Sequence, residues 1–362
     1  LDLKRKPKMR IDWIGATLTA LAVLASTGTA RAACAEAAAY SQARSGAALI
    51  ILRDGQPFCE VYARSFNVDA AIELQSGTKS FSAVIAAAAV QDGLLDLDEP
   101  VADSIPSWRV DPAKSQITIR NLLSLNAGLV ASAGPGVVPT YDAALNARVV
   151  RAAGSTFEYG AVPFAVFGAV MREKLLRAGQ PSSPLLYLQH RVLDRIGIAP
   201  KKWTQSADGM PHLSSGAHFT ARDWARFGEF IRMGGVVNGR AIIDGATLEE
   251  SLRPSISAKN YGMTWWLIGT GGLPRGAPLQ SDAIVSRAPS DWIMAAGVGK
   301  QRLLISREAR LTIVRLAPPA GATGWSDREF LSALLSPPLN QPPYEQIAGG
   351  ELMRSRSSAS SF

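Results

Sequence analysis

The chain is poor in the residues that most often advertise chemistry: two cysteines and three histidines among 362 residues, with aromatics at 7%. Two cysteines permit one disulfide at most and exclude a disulfide-dense scaffold. His190, His212 and His218 show no metal-ligand spacing, so no metal is expected, and nothing in the chain points to a cofactor. No glycine-rich phosphate loop opens a helix in a βαβ setting, and no internal repeat of useful period is present. There is no G-x-S-x-G elbow, which disfavours a Ser-His-Asp apparatus without excluding it. No Lys/Arg run is interleaved with aromatics, so nucleic acid is not an expected partner. The paired acids Asp96 and Asp98 read as turn residues.

Residues 4–10 are strongly basic, 11–26 mostly apolar, and Ala30-Arg31-Ala32 supplies small residues for a leader protease. This reads as a secretory signal peptide over 1–32, with a retained anchor as the alternative. The apolar part is shorter than the ~20 residues that span a bilayer, so no stable membrane insertion is expected after cleavage. The expected location is periplasmic or secreted. The formal charge is +8; six basic and two acidic residues in the leader carry +4 of it, leaving a mild, dispersed +4. Cys34 lies just past the cleavage site, where a lipid could be attached, but Arg31 occupies a position that such a site keeps aliphatic. A Cys34–Cys59 disulfide is expected in an oxidising compartment, with two free thiols as the alternative.

The pattern predicts a helix over Glu36–Arg44, a hairpin of Ala47–Leu52 and Phe58–Ala63 turning at Asp54-Gly55, and an apolar helix from Ser76 to near Gly93. Thr118 caps a short helix that ends at Gly128, and Val130–Pro139 reads as a loop, either bordering a cleft or simply on the surface. Helices follow over Val162–Arg177 and Pro184–Ile196, stopped by Gly179 and Gly197. Thr220 caps another, whose Trp224, Phe227 and Phe230 read as core. Strands are expected over Tyr261–Leu267, Trp292–Ala296, Arg302–Ile305 and Leu311–Leu316, and Ser326 with Glu329 opens a last helix. One of Trp265 and Trp266 is expected to face a cleft, Trp266 being the candidate for substrate contact.

The fold class implied is α/β, an antiparallel sheet flanked by helices with an inserted, mostly helical lobe. Residues 33–110 and 260–336 would form a discontinuous α/β lobe, 111–259 the helical lobe, and 337–362 a flexible tail.

Ser76-Gly77-Thr78-Lys79 sets a hydroxyl and an amine one helical turn apart at the start of a buried helix. There the helix dipole and loss of water both penalise the ammonium, lower its pKa and make Lys79 a usable base for Ser76. A capping serine beside a snorkelling lysine is the plainer alternative.

With these residues in view, the chain resembles the serine β-lactamase and penicillin-binding-protein superfamily, in its class C-related branch with esterases and 6-aminohexanoate-dimer hydrolases. The similar phrases occur in order: Leu52–Gly55, Ser76–Lys79, Asp92–Val101, Thr118–Leu129, Phe157–Tyr159, Thr220–Phe227, Tyr261–Trp266 and Gly297–Leu303. The resemblance implies an acyl-enzyme on Ser76, with Lys79 taking its proton and Tyr159 shuttling protons as a phenolate favoured by a nearby ammonium. It maps the third motif onto Ala295-Ala296-Gly297 and implies an oxyanion hole from the backbone N–H groups of Ser76 and Val298.

Two departures narrow the substrate. Ala161 stands where β-lactamases carry asparagine, and Ala295 where they carry lysine or histidine, so recognition of the amide and carboxylate of a β-lactam is weakened. Gly297 and Trp266 complete the expected substrate contacts; Lys300 and Arg302 are candidate replacement anchors, or else ordinary surface residues. The expectation is a serine hydrolase acting on a small ester or amide. The alternatives are a β-lactamase or DD-peptidase, and an inactive cell-envelope binding protein with the same fold.

Overall fold

A computed structural model describes residues 32–268, 291–318 and 324–335. The expected leader, apart from Ala32, and the expected tail over 337–362 lie outside the described residues. A helix runs over 32–42 (α1), followed by the hairpin strands β1 (Ala48–Arg53) and β2 (Gln56–Tyr62), with positive φ at Asp54 and Gly55 in the turn. Four further strands complete one sheet: β3 (Trp266–Leu267), β4 (Ile293–Gly297), β5 (Gln301–Ser306) and β6 (Leu311–Leu316). Every pairing is antiparallel, in the order β2-β1-β6-β5-β4-β3, so the first strands lie beside the last.

Both faces of this sheet are covered, which is why β5 and β6 are buried along their whole length. Adjacent residues of a strand point to opposite faces, and Arg302 and Leu303 show what lies on each. Arg302 meets Asp327 on the C-terminal helix Asp327–Leu334, whose Phe330, with Trp325 just before it, packs on Tyr40 of α1 at ring-centroid distances of 6.2 and 5.3 Å. Leu303 faces the helix Ala221–Arg232. A Cβ on Gly228 of that helix would lie 2.5 Å from Leu303 Cδ1 and 2.6 Å from Thr312 Cγ2, so glycine is what lets it come this close. This sheet-covering helix comes from within the segment 111–259.

The helix Ser80–Gln91 is buried without interruption from Ser80 to Ala89. Its alanines let neighbours approach on all sides, so an amphipathic stripe is neither present nor needed. The first turn differs from the expectation: Gln75–Lys79 forms a 3-10 turn, and the α-helix begins only at Ser80. Val162–Arg177 has the expected bounds, whereas Pro184–Ile196 is helical with a π-turn at Gln189–Leu193. The strand expected over Tyr261–Leu267 is reduced to Trp266–Leu267, because Thr264 adopts φ 73° and Tyr261 folds back to bridge Trp266.

Cys34 and Cys59 are disulfide-bonded, tying α1 to β2 and leaving no free thiol in the chain. The bond closes a 25-residue separation. Loop-closure entropy for such a loop gives about 3 kcal/mol, so reduction is expected to lower the unfolding midpoint measurably in denaturant titrations with and without dithiothreitol. Identical midpoints would contradict this role.

Candidate active site

Ser76 sits on the 3-10 turn directly after Gln75, a non-glycine residue at φ 53°. That conformation costs about 1–3 kcal/mol and persists only where its surroundings hold it. Here they do: Gln75 Nε2 donates to Glu73 Oε2 at 2.8 Å, and Glu73 Oε1 accepts from the Gly216 N–H at 3.1 Å. The Leu74 N–H donates to the Ala217 carbonyl at 2.8 Å, and the Ala217 N–H to Thr78 Oγ1 at 3.2 Å. Behind the turn, a Cβ on Gly77 would lie 3.0 Å from the Trp224 ring.

In a 3-10 turn residues three apart eclipse one another, which stacks Lys79 on Ser76 more directly than an α-helix would. Lys79 Nζ donates to Ser76 Oγ at 3.2 Å and to the Ser214 carbonyl at 2.9 Å. Its other neighbours are ring faces, with the Tyr159 and Phe164 centroids at 4.8 and 5.4 Å. Among the described residues no carboxylate contributes to its environment, and burial brings the pKa down to about 7. The neutral amine, which can accept a proton, is therefore far more accessible near pH 7 than for an ordinary lysine.

Tyr159 stands on a loop pinned by its backbone: the Glu158 N–H donates to Leu125 O at 2.8 Å, and the Val162 N–H to Ala131 O at 2.9 Å. The helix Val162–Arg177 begins just after Ala161, and a Cβ on Gly160 would fall 2.0 Å from Ala131 O. The Val130–Pro139 loop thus lies against the second motif. The Tyr159 ring is walled by Phe157, Tyr261 and Trp266, with centroids 6.4, 6.4 and 5.5 Å away. Burial pushes its phenol up to about 12, despite the opposing influence of a hydrogen bond with Ser76 and the charge of Arg302. Burial thus favours the neutral phenol at Tyr159, against the expected phenolate, while it lowers Lys79 toward neutrality.

β4 ends beside this pair. A Cβ on Gly297 would lie 2.1 Å from Leu74 O and 2.9 Å from Gln75 Cβ, so the strand end touches the backbone that precedes Ser76. Val298 follows at once, its side chain largely exposed. Ala295 and Ala296 are buried in the strand, opposite Leu303 and Arg302.

Two expectations are corrected. Trp265 and Trp266 are both buried, at 0% and 2% exposure, Trp265 packing on Phe227 and Trp266 on Tyr159, so neither presents a face to a cleft. Arg302, at 1% exposure, is engaged by the equally buried Asp327 and is not a free carboxylate anchor. Conversely, the Ser214 carbonyl and the Phe164 ring, both against Lys79, were not anticipated. A main-chain acceptor leaves no mark in a sequence, and Phe164 reads as one more apolar residue of its helix. Among the described residues no group of three or more His, Cys, Asp or Glu side chains could hold a metal ion.

The Ser76 turn, Lys79, the Tyr159 loop and the strand end lie together, and the β-lactamase family profile matches residues 30–322. The chain belongs to the beta-lactamase family. Solved structures share the fold at low identity. A proposed beta-lactamase from Bacteroides dorei DSM 17855 is 20% identical, with TM-score 0.67 over 84% of this chain and 96% of that one. A family VIII carboxylesterase is 17% identical, with TM-score 0.64 over 86% and 96%. A penicillin-binding-protein homologue from Caulobacter crescentus is 17% identical, with TM-score 0.63 over 84% and 95%. No curated protein sequence matches the chain. As a beta-lactamase-family protein it has the antiparallel sheet and helices of that fold, and its motifs fall where the fold brings them together.

Proposed function

We propose that this beta-lactamase-family protein is a serine hydrolase that cleaves a small ester or amide through an acyl-enzyme on Ser76. The observation that carries the reading is the Lys79 amine, 3.2 Å from Ser76 Oγ and with a pKa near 7. A buried lysine without a carboxylate partner destabilises the fold, a cost that a binding protein has no reason to keep.

In this mechanism neutral Lys79 takes the Ser76 proton as Oγ attacks the substrate carbonyl. The tetrahedral oxyanion is met by the main-chain N–H groups of Ser76 and Val298. The proton held on Lys79, relayed by the neutral Tyr159 phenol, then passes to the departing alkoxide or amine. Water attacks the acyl-enzyme with the same groups acting in reverse, restoring the Ser76 hydroxyl.

Esterase chemistry is favoured over β-lactam or peptide cleavage by Ala161, Ala295 and the sequestered Arg302, none of which offers the substrate an amide or cationic anchor. The similarity of fold to a carboxylesterase is consistent with this choice. The signal-like leader leads us to place the enzyme in the periplasm or outside the cell, with a small molecule as its partner.

Exposure to a fluorophosphonate is expected to add one phosphonyl group, the probe less HF, to the intact protein, fluoride leaving as Ser76 Oγ bonds to phosphorus, and to add none to Ser76→Ala. A panel of p-nitrophenyl esters, nitrocefin and 6-aminohexanoate dimer is expected to show turnover of the esters. Absence of a Ser76-dependent adduct would overturn the enzyme reading, and nitrocefin turnover without ester turnover would overturn the substrate class.

A further inference from the structure

The Gly297 carbonyl and the Val298 N–H are the two ends of one peptide group, and in a trans peptide they point in opposite directions. The carbonyl end is held by a buried guanidinium: Arg302 Nη1 donates to Gly297 O at 3.3 Å and to Gln301 O at 3.0 Å. The other two positions of the fork are taken by Asp327, with Nε to Oδ1 at 2.8 Å and Nη2 to Oδ2 at 3.1 Å. Trp325 Nε1 also donates to Asp327 Oδ1, at 2.8 Å, so that oxygen accepts from both side chains. With both carboxylate contacts made, Nη1 is the nitrogen left to face the strand end.

A second guanidinium completes the arrangement. Arg315 Nη1 donates to Gly299 O at 3.2 Å and to Lys300 O at 2.9 Å. The turn so held contains two residues at positive φ, Gly299 at 74° and Lys300 at 60°. Four of the five carbonyls from Gly297 to Gln301, those of Gly297, Gly299, Lys300 and Gln301, thus accept from two buried cations. Folding for stability alone does not call for this, since a buried ion pair gives little net stabilisation over apolar packing.

We propose that Arg302, oriented by Asp327, is a positioning residue that fixes and polarises the Gly297–Val298 peptide as an oxyanion donor. A cationic hydrogen bond to a carbonyl oxygen draws electron density toward that oxygen and leaves the N–H of the same peptide more positive. Cooperative strengthening of this kind is roughly 10–30% per bond, and a charged donor lies at the strong end. The effect is greatest when the substrate oxygen becomes anionic, so it assists the transition state more than substrate binding. This rests on the reading of Val298 as an oxyanion donor.

The test is isotope-edited infrared spectroscopy of the acyl-enzyme formed by the full protein with a carbonyl-labelled p-nitrophenyl ester, beside acylation kinetics. In the native enzyme the labelled ester carbonyl is expected at lower frequency than in the denatured acyl-protein. The double variant Arg302→Gln/Asp327→Asn removes cation and anion together and keeps an amide pair in their place. It is expected to move the carbonyl part of the way back and to slow acylation roughly tenfold, a fraction of the hundredfold or more that follows loss of an oxyanion donor outright. The substrate dissociation constant, taken from the concentration dependence of the acylation rate, and the melting midpoint are expected to stay near native, which a merely structural role would not produce alongside a shifted carbonyl. A low native frequency that the variant leaves unmoved overturns the proposal and spares the oxyanion reading. An unshifted native carbonyl overturns both. Should the double variant not fold, Arg302→Lys, which keeps a cation on Asp327 but loses the fork, is judged by the same criteria.

Discussion

A Lys79→Met enzyme is expected to lose roughly a thousandfold in the rate of Ser76 acylation while gaining stability at neutral pH. The two effects have one origin. Among the described residues Nζ is the amine that touches Ser76 Oγ, and removal of a positioned general base costs about 10²–10⁴ in rate. The same amine is buried with a pKa near 7 against an ordinary 10.5. Between those values the unfolded chain holds a proton that the folded chain does not, so the native protein gains stability from this side chain as pH rises through that window. Below pH 7 both states are protonated and the full penalty of burying the ammonium is present, on the order of several kcal/mol. Methionine fills the space without that penalty, at the cost of leaving the Ser214 carbonyl without its donor. Urea titrations at pH 6 and pH 10 provide the check. The variant is expected to exceed the native protein at pH 6 and to lose much of that advantage at pH 10. The acylation rate of the native enzyme should rise with pH, with an apparent pKa near 7. Retained acylation in Lys79→Met would overturn its role as base.

Gly297→Ala is the second change of large expected effect. The added Cβ would sit 2.1 Å from the Leu74 carbonyl oxygen, and that atom belongs to backbone held by the Leu74–Ala217 hydrogen bond, not to a side chain that can swing away. The strand end must therefore separate from the nucleophile turn, carrying Val298 away from Ser76. A misplacement of about 1 Å costs on the order of a hundredfold in rate, and overpacking costs about 1–3 kcal/mol in stability. Steady-state kinetics with a p-nitrophenyl ester and a thermal melt would measure both. Near-native turnover in Gly297→Ala would show that Val298 need not be held where it is.

How much of this could be read from residues alone varies element by element. Val162–Arg177 is legible because proline and small residues mark its start and Gly179 its end, and the hairpin because Asp54-Gly55 sits between two apolar runs. The segment 261–267 is not, since Tyr261, Met263, Trp265 and Trp266 are equally apolar in a strand or in a fold-back, and the φ of 73° at Thr264 decides between them. Strand patterns near both ends of the described chain match the one sheet in which β1 lies beside β6. The site was legible where its chemistry lies in side chains close in sequence, as with Ser76 and Lys79. It was illegible where a main-chain carbonyl at Ser214 or a partner 25 residues away, as Asp327 is from Arg302, completes it.

By itself, then, the sequence determined the order of helices and strands, the serine and lysine one turn apart, and the missing polar groups at Ala161 and Ala295. The packing of the fold sets the pKa of each candidate group. Spacing placed an amine near a hydroxyl; the exclusion of water by Tyr159, Phe164 and the Ser214 backbone brings Lys79 to about 7, and burial holds Tyr159 near 12. The reason is that desolvation is a property of everything packed around a group, contributed here by residues from Lys79 itself to Trp266, and no local stretch of chain carries it.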